Sequence, residues 1–515
     1  MAYIQSNKDQ AWLLPPSIEE LIPEDHICFL VESLVDSMDF RRFDLKYGGA
    51  GHPAYHPKVL LKILVMGVMD RVRSSRRLAK NARENVVYMY LSEKLTPDFR
   101  TISDFRKDNP EIVKEAFRHT VTLGKQEGLL DLSHLSTDGS KVKANASNKR
   151  VLSREELEFL LKFADKELEE WAEQDASEEK AFGELRGFDQ LPGNSKKTVQ
   201  KAAEHYVKKM KKRGDVFKEE LKGRLKRAEE DSEKSGARQT STTDPESRFI
   251  KNSKGRIELS YNAQVTVDSK GFILSSDVCG DASDAEQLEP QVFQVEENLG
   301  ALPEGVSWSF DAGYFGGSNI NFLGNKKIDG YIPENEKRRV NLYDKRNFKY
   351  DTGRDEYICP EEKRLPYVGK NFDRQKNKVV RIYKGEGCSG CKAQSKCTSR
   401  RDGIRYIKEF PYEAQRNAMR EKMKTQRSKE LYALRSRTVE PVFGDIKENK
   451  GLRNFLTRGL ERVKIEFNLV CIASNLRKIK GYLKEKNENA PLRGRVRQKY
   501  IDKPRIIPEV QECPA

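Results

Sequence analysis

Asp138 and Asp311 each fall at or just after the end of a predicted strand, the place where open α/β sheets present their ligands. Glu440 stands in Arg435-Ser436-Arg437-Thr438-Val439-Glu440-Pro441-Val442-Phe443-Gly444-Asp445-Ile446-Lys447. Proline is tolerated in the first turn of a helix, so the run predicts a helix capped by Thr438, with Glu440 in its first turn and Lys447 two turns further along the same face. Two Mg²⁺ ions ~3.5–4 Å apart that break a phosphodiester need several hard oxygen ligands from separate elements, and two strand-end aspartates with one helical glutamate supply them. Lys447 and Arg437 are then placed to hold the phosphate. The residues alone leave rivals: Asp277, Asp281, Asp284 and Glu286 meet the same criterion, and Asp445 or Glu448 replaces Glu440 if the helix phase shifts. With 80 acidic residues in the chain, any one of these taken singly fits a solvated surface carboxylate.

The elements that must position these groups read as follows. From Tyr3 to about Leu130 the pattern is helical, with Val59, Leu60, Ile63 and Leu64 at three-and-four spacing after Pro53 and Pro57. A basic run, Arg71 to Arg77, contains Arg73, Arg76 and Arg77 and serine residues able to cap the next helix, and Phe99 to Arg106 starts another after Pro97. Between Leu132 and Ala146 the period becomes two, predicting a strand that ends at Asp138. Residues 150–190 then carry 6 basic and 13 acidic side chains, whereas 195–228 carry 13 basic and 4 acidic. Leu157, Leu161, Ala164, Leu168 and Trp171 form a stripe answered by Phe217, Leu221, Leu225 and Ala228 beyond the breaker Leu191-Pro192-Gly193-Asn194, which predicts a helical hairpin, acidic arm against basic arm. Strands resume at Tyr261–Val267 and Gly271–Val278 around the turn Asp268-Ser269-Lys270-Gly271, followed by a helix from about Ala282 to Leu299 and strands at Val306–Asp311 and Ile328–Ile332. The order is that of an α/β unit interrupted once.

A chain of 515 residues holds two to four domains at ~100–200 residues each. No apolar run approaches the ~18 residues that span a bilayer, since Val59 to Met69 already contains Lys62, so a membrane protein is not expected. The first residues lack the basic-then-apolar order of a secretory signal, which predicts a reducing cytoplasm and cysteines kept as thiols or metal ligands. A net charge of +16 makes a polyanion the first partner to consider. Cys388 and Cys391 form a two-residue knuckle, with Cys359 and Cys397 nearby in a Gly- and Lys-rich segment that shows no strong core periodicity. Four such thiolates predict a structural Zn²⁺ staple; buried free thiols are the plainer alternative. Beyond about Lys480 the chain reads as a flexible basic tail including Arg493, Arg495 and Arg497.

Three segments together resemble bacterial insertion-sequence transposases of the DDE class, the branch with an InsH-like N-terminal domain and an RNase H-like catalytic core. They are Leu135-Ser136-Thr137-Asp138-Gly139-Ser140-Lys141, Phe310-Asp311-Ala312-Gly313-Tyr314 and Val439-Glu440-Pro441-Val442-Phe443-Gly444-Asp445-Ile446-Lys447, supported by Gly51-His52-Pro53-Ala54-Tyr55-His56-Pro57, Arg73-Ser74-Ser75-Arg76-Arg77 and Tyr261-Asn262-Ala263-Gln264. The likeness runs from about residue 15 to 480. It implies that Asp138, Asp311 and Glu440 are a metal-binding triad for two Mg²⁺ ions. In such transposases a Tyr, Arg, Glu, Lys signature surrounds the glutamate; Glu440 and Lys447 keep the expected relation, while Tyr432 and Arg435 or Arg437 fit loosely. The implied reaction cleaves element ends and joins the freed 3′-hydroxyl to target DNA, by a cytoplasmic, nucleoid-associated homo-oligomer assembled on that DNA. A non-catalytic DNA-binding protein derived from such an element is the alternative. The expected fold class is α/β: a helical N-terminal DNA-binding domain (1–130), an RNase H-like mixed sheet core (131–149, 241–340 and 401–480), a charged helical hairpin insert (150–240), a Cys-rich insert (341–400) and a basic C-terminal tail (481–515).

Overall fold

Apolar side chains at helical spacing, punctuated by proline and short polar residues, fold the N-terminal part of the chain into helices. The computed structural model describes residues 16–44, 54–166, 191–213, 215–252, 255–335, 341–374, 378–486 and 491–496. The first helices are α1 (Cys28–Asp36), α2 (Arg41–Asp44), α3 (Pro57–Met69), α4 (Ser75–Glu84), α5 (Val86–Leu91), α6 (Phe99–Asp108) and α7 (Pro110–Gln126). Pro57 opens α3, where the His56 ring accepts the Lys58 N–H at 3.2 Å, and Asp98 caps α6 by accepting from Arg100 and Thr101. Ser74 occupies the cap position of α4, although its side chain makes no capping bond. α3 is buried almost all round, Lys62 included, whose ammonium pairs with Asp36 at 2.9 Å. His52 lies outside the described residues.

The chain continues through β1 (His134–Lys143), β2 (Val151–Ser153), α8 (Arg154–Lys166), α9 (Gly193–Arg213), α10 (Asp215–Ser235), β3 (Gln239–Ser241), β4 (Arg248–Lys251), β5 (Ile257–Val267) and β6 (Ile273–Cys279). Then follow α11 (Leu288–Leu299), β7 (Ser307–Phe310), α12 (Gly317–Asn325) and β8 (Asp329–Tyr331). One six-stranded sheet holds the site: β1 is antiparallel to β5 and parallel to β7, which is parallel to β8. β4 and β6 share the far edge of β5, one after the other along its length. The β5–β6 turn is fixed by Asp268, whose buried carboxylate accepts from the Asp131, Lys270 and Phe272 N–H groups while Gly271 takes φ +70°. A second sheet of five antiparallel strands comprises β9 (Lys349–Asp351), β10 (Glu356–Ile358), β11 (Arg364–Asp373), β12 (Lys378–Lys384) and, beyond α13 (Gln394–Cys397), β13 (Tyr406–Glu409). The last helices are α14 (Glu413–Lys424), α15 (Gln426–Ala433), α16 (Arg435–Gly444), α17 (Leu460–Lys486) and α18 (Leu492–Val496).

The core is continuous from α1 to α17, so the N-terminal helices and the sheet share one apolar interior. α17 and α11 lie against β6, and buried amides tie them to its backbone: Asn475 bonds both the N–H and the carbonyl of Ile273 (2.9 Å each), and Asn298 donates to the Leu274 carbonyl at 2.8 Å.

Several expectations need correction. β1 does not end at Asp138; its ladder with β5 carries it on to Lys143, while the pairing with β7 stops at Thr137. The helix after β6 begins at Leu288, because residues 280–287 form the loop that brings Asp284 inward. The charged insert shows three helices among its described residues, not two arms: Val199, Ala203 and Met210 give α9 an apolar face of its own, packed with Leu157, Phe163, Phe217, Leu221 and Leu225. Leu168 and Trp171 lie outside the described residues. The Cys-rich segment has a core after all, formed by Phe348, Tyr357, Leu365, Tyr383 and Ile407, with the Tyr357 and Tyr383 rings edge to face at 4.8 Å. Its strands bury no more than two side chains each, too few to register as periodicity. Pro441 sits inside α16, not in its first turn, and Thr438 is an interior residue whose hydroxyl returns to the Leu434 carbonyl. The C-terminal tail is docked at its start: α17 reaches Lys486, and Arg493 pairs with Glu19 at 2.7 Å.

Arg73 is an internal tie. Its guanidinium pairs with Glu466 at 2.5 Å and donates to the Gly451 and Asn454 carbonyls, with the two side chains 12 % and 5 % exposed. Glu466 also accepts from the Leu456 and Thr457 N–H groups. Removing one partner strands a buried charge, so Arg73→Ala should lower the unfolding free energy by about 3 kcal/mol, read from the denaturant midpoint.

Candidate active site

Thr137 of β1 is level with Phe310 of β7, and the paired ladder ends there. Asp138 and Asp311 are the next residue on each of two adjacent parallel strands, which lie about 4.8 Å apart in any sheet. β1 keeps pairing with β5 while the chain after β7 turns away through a short 3₁₀ turn at Ala312–Tyr314, whose first N–H is capped by the Asp311 carboxylate. The two carboxylates therefore flank the mouth of a cleft where the strands part. Burial pushes the Asp138 carboxyl up to about 6; Arg435 opposes this, and Asp311 and Asp284 add to it.

Beneath the cleft lies a buried hydroxyl network. Thr137 Oγ1 takes the Trp308 indole N–H at 2.8 Å and meets Thr266 Oγ1 at 2.8 Å; Thr438 Oγ1 donates to Ser136 at 3.0 Å, and Ser309 lies between Ser136 and His134. Burial, then the nearby Arg435 charge, lowers the His134 imidazole to about 4, so it is neutral in this network at ordinary pH. On these strand ends sits Arg435, the first residue of α16. Its guanidinium donates to the Thr137 and Ser309 carbonyls, pairs with Asp138 at 3.1 Å, and lies over the Tyr432 ring at 5.6 Å from the centroid. Arg437, the other candidate arginine, is exposed.

Glu440 projects from the exposed side of α16. Tyr432 relates it to the aspartates: burial raises the phenol, Arg435 opposes, and Asp311, Asp138 and Glu440 all push it further up. The three carboxylates thus bear on one side chain. Among the described residues, however, no three His, Cys, Asp or Glu side chains are drawn together closely enough to hold a metal ion as they stand. Lys447 lies within a π-helical turn, Asp445–Asn449, and reaches Ser140 Oγ at 2.5 Å; burial lowers its ammonium and Asp138 raises it.

Asp284, one of the rivals named from sequence, is part of this site. Its carboxylate accepts from Asn262 at 2.6 Å, Gln264 at 2.7 Å and Lys141 at 3.3 Å. It fits between two glycines: a Cβ at Gly139 would come within 2.6 Å of one oxygen, and a Cβ at Gly313 within 3.2 Å of the other. Both glycines neighbour a candidate aspartate, which is the signal a sequence reading can use. Asp277 instead pairs with Lys464 at 3.2 Å, and Asp445 is bound to Lys450. Asn262 Oδ1, close to the Gly139 backbone, is buried without a hydrogen-bond donor.

In the Cys-rich segment, Cys359, Cys388, Cys391 and Cys397 line one small cavity, and Cys359 Sγ accepts the Lys363 N–H at 3.2 Å. Burial raises the Cys397 thiol, Arg405 opposes, and the other three cysteines raise it further. Elsewhere, Arg76 and Arg77 are exposed on α4, with the Arg76 and Arg100 guanidinium groups 5.1 and 5.8 Å from the centroid of the Phe99 ring.

Because Arg435 holds the Asp138 carboxyl down against burial, Arg435→Gln should move its titration upward from about 6, which carboxyl ¹³C NMR of the metal-free protein would read.

Residues 16–108 match the family described as Transposase domain (DUF772), and residues 358–480 match the one described as Transposase DDE domain. No curated protein matches. The second stretch starts at the end of β10 and stops within α17, so it contains the four cysteines, Tyr432, Arg435, Glu440 and Lys447, while Asp138 and Asp311 precede it. These two matches, each over less than half of the chain, support an insertion-sequence-type DDE transposase.

Proposed function

We propose that this protein cleaves DNA at the ends of an insertion sequence and joins the freed 3′-hydroxyl to target DNA, with Asp138, Asp311 and Glu440 as its acidic ligands for two Mg²⁺ ions. The observation that carries the reading is the placement of Asp138 and Asp311 side by side where β1 and β7 part. Order and direction of the sheet, β6 and β5 antiparallel beside β1 and then β7 and β8 parallel to it, support an RNase H-like core. The division proposed is a DNA-binding region at 1–130, that core at 131–149, 241–340 and 401–480, inserts at 150–240 and 341–400, and a tail at 481–515.

The donor set suits a hard divalent cation: carboxylate oxygens from two strand ends, a loop and a helix, beside the donor-less Asn262 Oδ1. Bound there, two Mg²⁺ ions would supply Lewis acidity at the attacking and leaving oxygens. Asp138, Asp311 and Glu440 would hold them, with Asp284 within reach of the first two. Arg435 balances Asp138 when no cation does and fixes the strand ends against α16. Lys447, seated on Ser140, offers its ammonium to a phosphate at the cleft, and Arg437 stands one turn from Glu440 on the exposed side. Arg76, Arg77 and Arg100 around Phe99 form a basic, aromatic surface for duplex DNA, whereas Arg73 is spent on Glu466. The working form would be a homo-oligomer assembled on DNA.

Four thiols converging on one cavity, one of them accepting a backbone N–H as thiolate ligands do, fit structural Zn²⁺. The purified chain should then carry about one zinc per molecule by mass spectrometry, and Cys388→Ser/Cys391→Ser should lose it together with thermal stability. Wild-type protein that takes up no zinc would remove that assignment.

For the reaction, strand transfer with element-end DNA and Mg²⁺ should fall by about a hundredfold or more in Asp138→Ala, Asp311→Ala and Glu440→Ala. Cleavage without joining by the wild type would make it a nuclease. Equal joining by all four proteins would reject the triad, and no reaction by any of them would favour a DNA-binding derivative.

A further inference from the structure

The three-helix insert contains a cavity of about 560 Å³ between α9, α10 and the β2–β3 pair. That volume is within the range of small-molecule sites. Its floor is apolar and partly aromatic, made by Leu152, Tyr206, Phe217 and Leu221. Its rim is cationic, with Arg150, Lys201, Lys209 and Arg224, and among the described residues no acidic side chain lines it. The hydroxyls of Thr198, Thr242 and Thr243 complete the polar lining.

Among the described residues, the lack of acid is a property of the cavity and not of its surroundings. On the outside of the same bundle Arg154 pairs with Glu158 and Glu233, Arg213 with Glu220, and Arg248 with Asp231. None of the four rim cations has a carboxylate partner among the described residues. Two of them converge on one ring: Lys209 and Arg224 each lie 5.8 Å from the centroid of Phe217. The crowding also appears in His205 at the rim, whose imidazole is lowered by burial and then by Lys209, Arg150 and Arg224. Unpaired like charges around a hollow repel one another, and an anion relieves that repulsion.

An anion alone would not use the floor. Tyr206, only partly buried, offers flat apolar surface beside the rim cations, and Thr198, Thr242 and Thr243 add short donors and acceptors. A ligand complementary to all three carries a phosphate at one end, a planar ring at the other and polar edges between. From this arrangement we infer that the insert binds a nucleoside phosphate, its phosphate among Arg150, Lys201, Lys209 and Arg224 and its base against Tyr206. The inference goes beyond the proposed DNA joining and does not need it. A free nucleotide and an unpaired nucleotide of a DNA strand share this chemistry. Stacking of bases on aromatic side chains beside a basic groove is the general mode of single-strand binding.

The test is equilibrium binding to the full-length chain without Mg²⁺, so that a chain unable to join DNA is tested equally well. The probes are dAMP, deoxyadenosine, inorganic phosphate, a 5′-phosphorylated single-stranded oligonucleotide and its blunt duplex. dAMP should bind saturably, with deoxyadenosine and inorganic phosphate each weaker by about tenfold or more, since each forfeits one zone of contacts. Lys201→Gln/Lys209→Gln should weaken dAMP by about tenfold or more, and Tyr206→Leu should weaken dAMP but not inorganic phosphate. Lys197→Gln, on the same helix but off the cavity, should leave binding unchanged. Competition with dAMP by the single strand and not by the duplex would identify the DNA strand as the source; competition by neither would identify the free nucleotide. The inference is overturned if dAMP does not saturate, if deoxyadenosine binds as tightly, or if Lys201→Gln/Lys209→Gln binds dAMP like the wild type with its thermal unfolding unchanged.

Discussion

A guanidinium with only 6 % of its surface exposed, Arg435, closes the sheet where β1 and β7 part. Two strands that separate leave carbonyls without ladder partners, and here the Thr137 and Ser309 carbonyls turn to Arg435 instead. The same group neutralises Asp138 and stands on Tyr432, which shares the next turn of chain. Strand ends, acidic residue and helix α16 are therefore held by one side chain whose five donors lie in a fixed plane. A lysine has the charge without that fork and could not join all three.

Charge balance explains why such a clamp is needed. Asp138, Asp311 and Asp284 crowd one cleft, and burial together with the charges of the other two disfavours ionisation of Asp138. Without a cation the cleft would draw protons or open. Arg435 pairs with Asp138 and Lys447 stands near the same carboxylate, while Asp284 is held by Asn262, Gln264 and Lys141. Below, the hydroxyls of Ser136, Thr137, Thr266, Ser309 and Thr438 satisfy one another, so the floor is polar yet needs no charge. A basic chain thus keeps a compact acidic cleft without dissolving its core.

Much of this was legible in the sequence because it is written in local pattern. Alternation around Leu135 and Thr137 announced β1, the Asp268–Gly271 turn announced the β5–β6 hairpin, and Pro57 and Pro97 marked helix starts. Asp311 could be named from its position just after a strand, and Asp138 from a strand end that exists only on the β7 side. What failed to read was set by partners distant in sequence. The extension of β1 beyond Asp138 depends on β5, more than a hundred residues away, and its unmatched β7 edge is a tertiary fact. Pro441 reads as a first-turn residue, yet α16 begins six residues earlier because Arg435 is anchored on the sheet. Asp284 had no local mark of its own; Gly139 and Gly313, which make room for it, lie on other elements. The small core of the Cys-rich segment escaped notice because it is shared among five short strands.

Asp138, Asp311 and Glu440, spread over some three hundred residues of chain, all bear on Tyr432 only if the long excursions between them do not pull on the sheet. Loop-closure entropy grows slowly with length, about 0.6 kcal/mol for each doubling, so a long insert is tolerated when its ends are fixed close together. The excursion between β1 and β5 meets that condition through a neck: Val151–Ser153 pairs with Gln239–Ser241, and the Arg150 carbonyl accepts the Thr242 N–H at 3.0 Å. Its three helices then have a core of their own, to which the six-stranded sheet contributes no side chain among the described residues. The excursion between β8 and α14 is closed in a similar way, by Glu334 bonded to Arg420 at 2.8 Å and Lys345 paired with Glu413 at 2.9 Å. Each insert therefore leaves the strand ends where the sheet ladder sets them, and the acidic cleft depends on β1, β7, the Asp284 loop and α16, whatever the inserts come to bind.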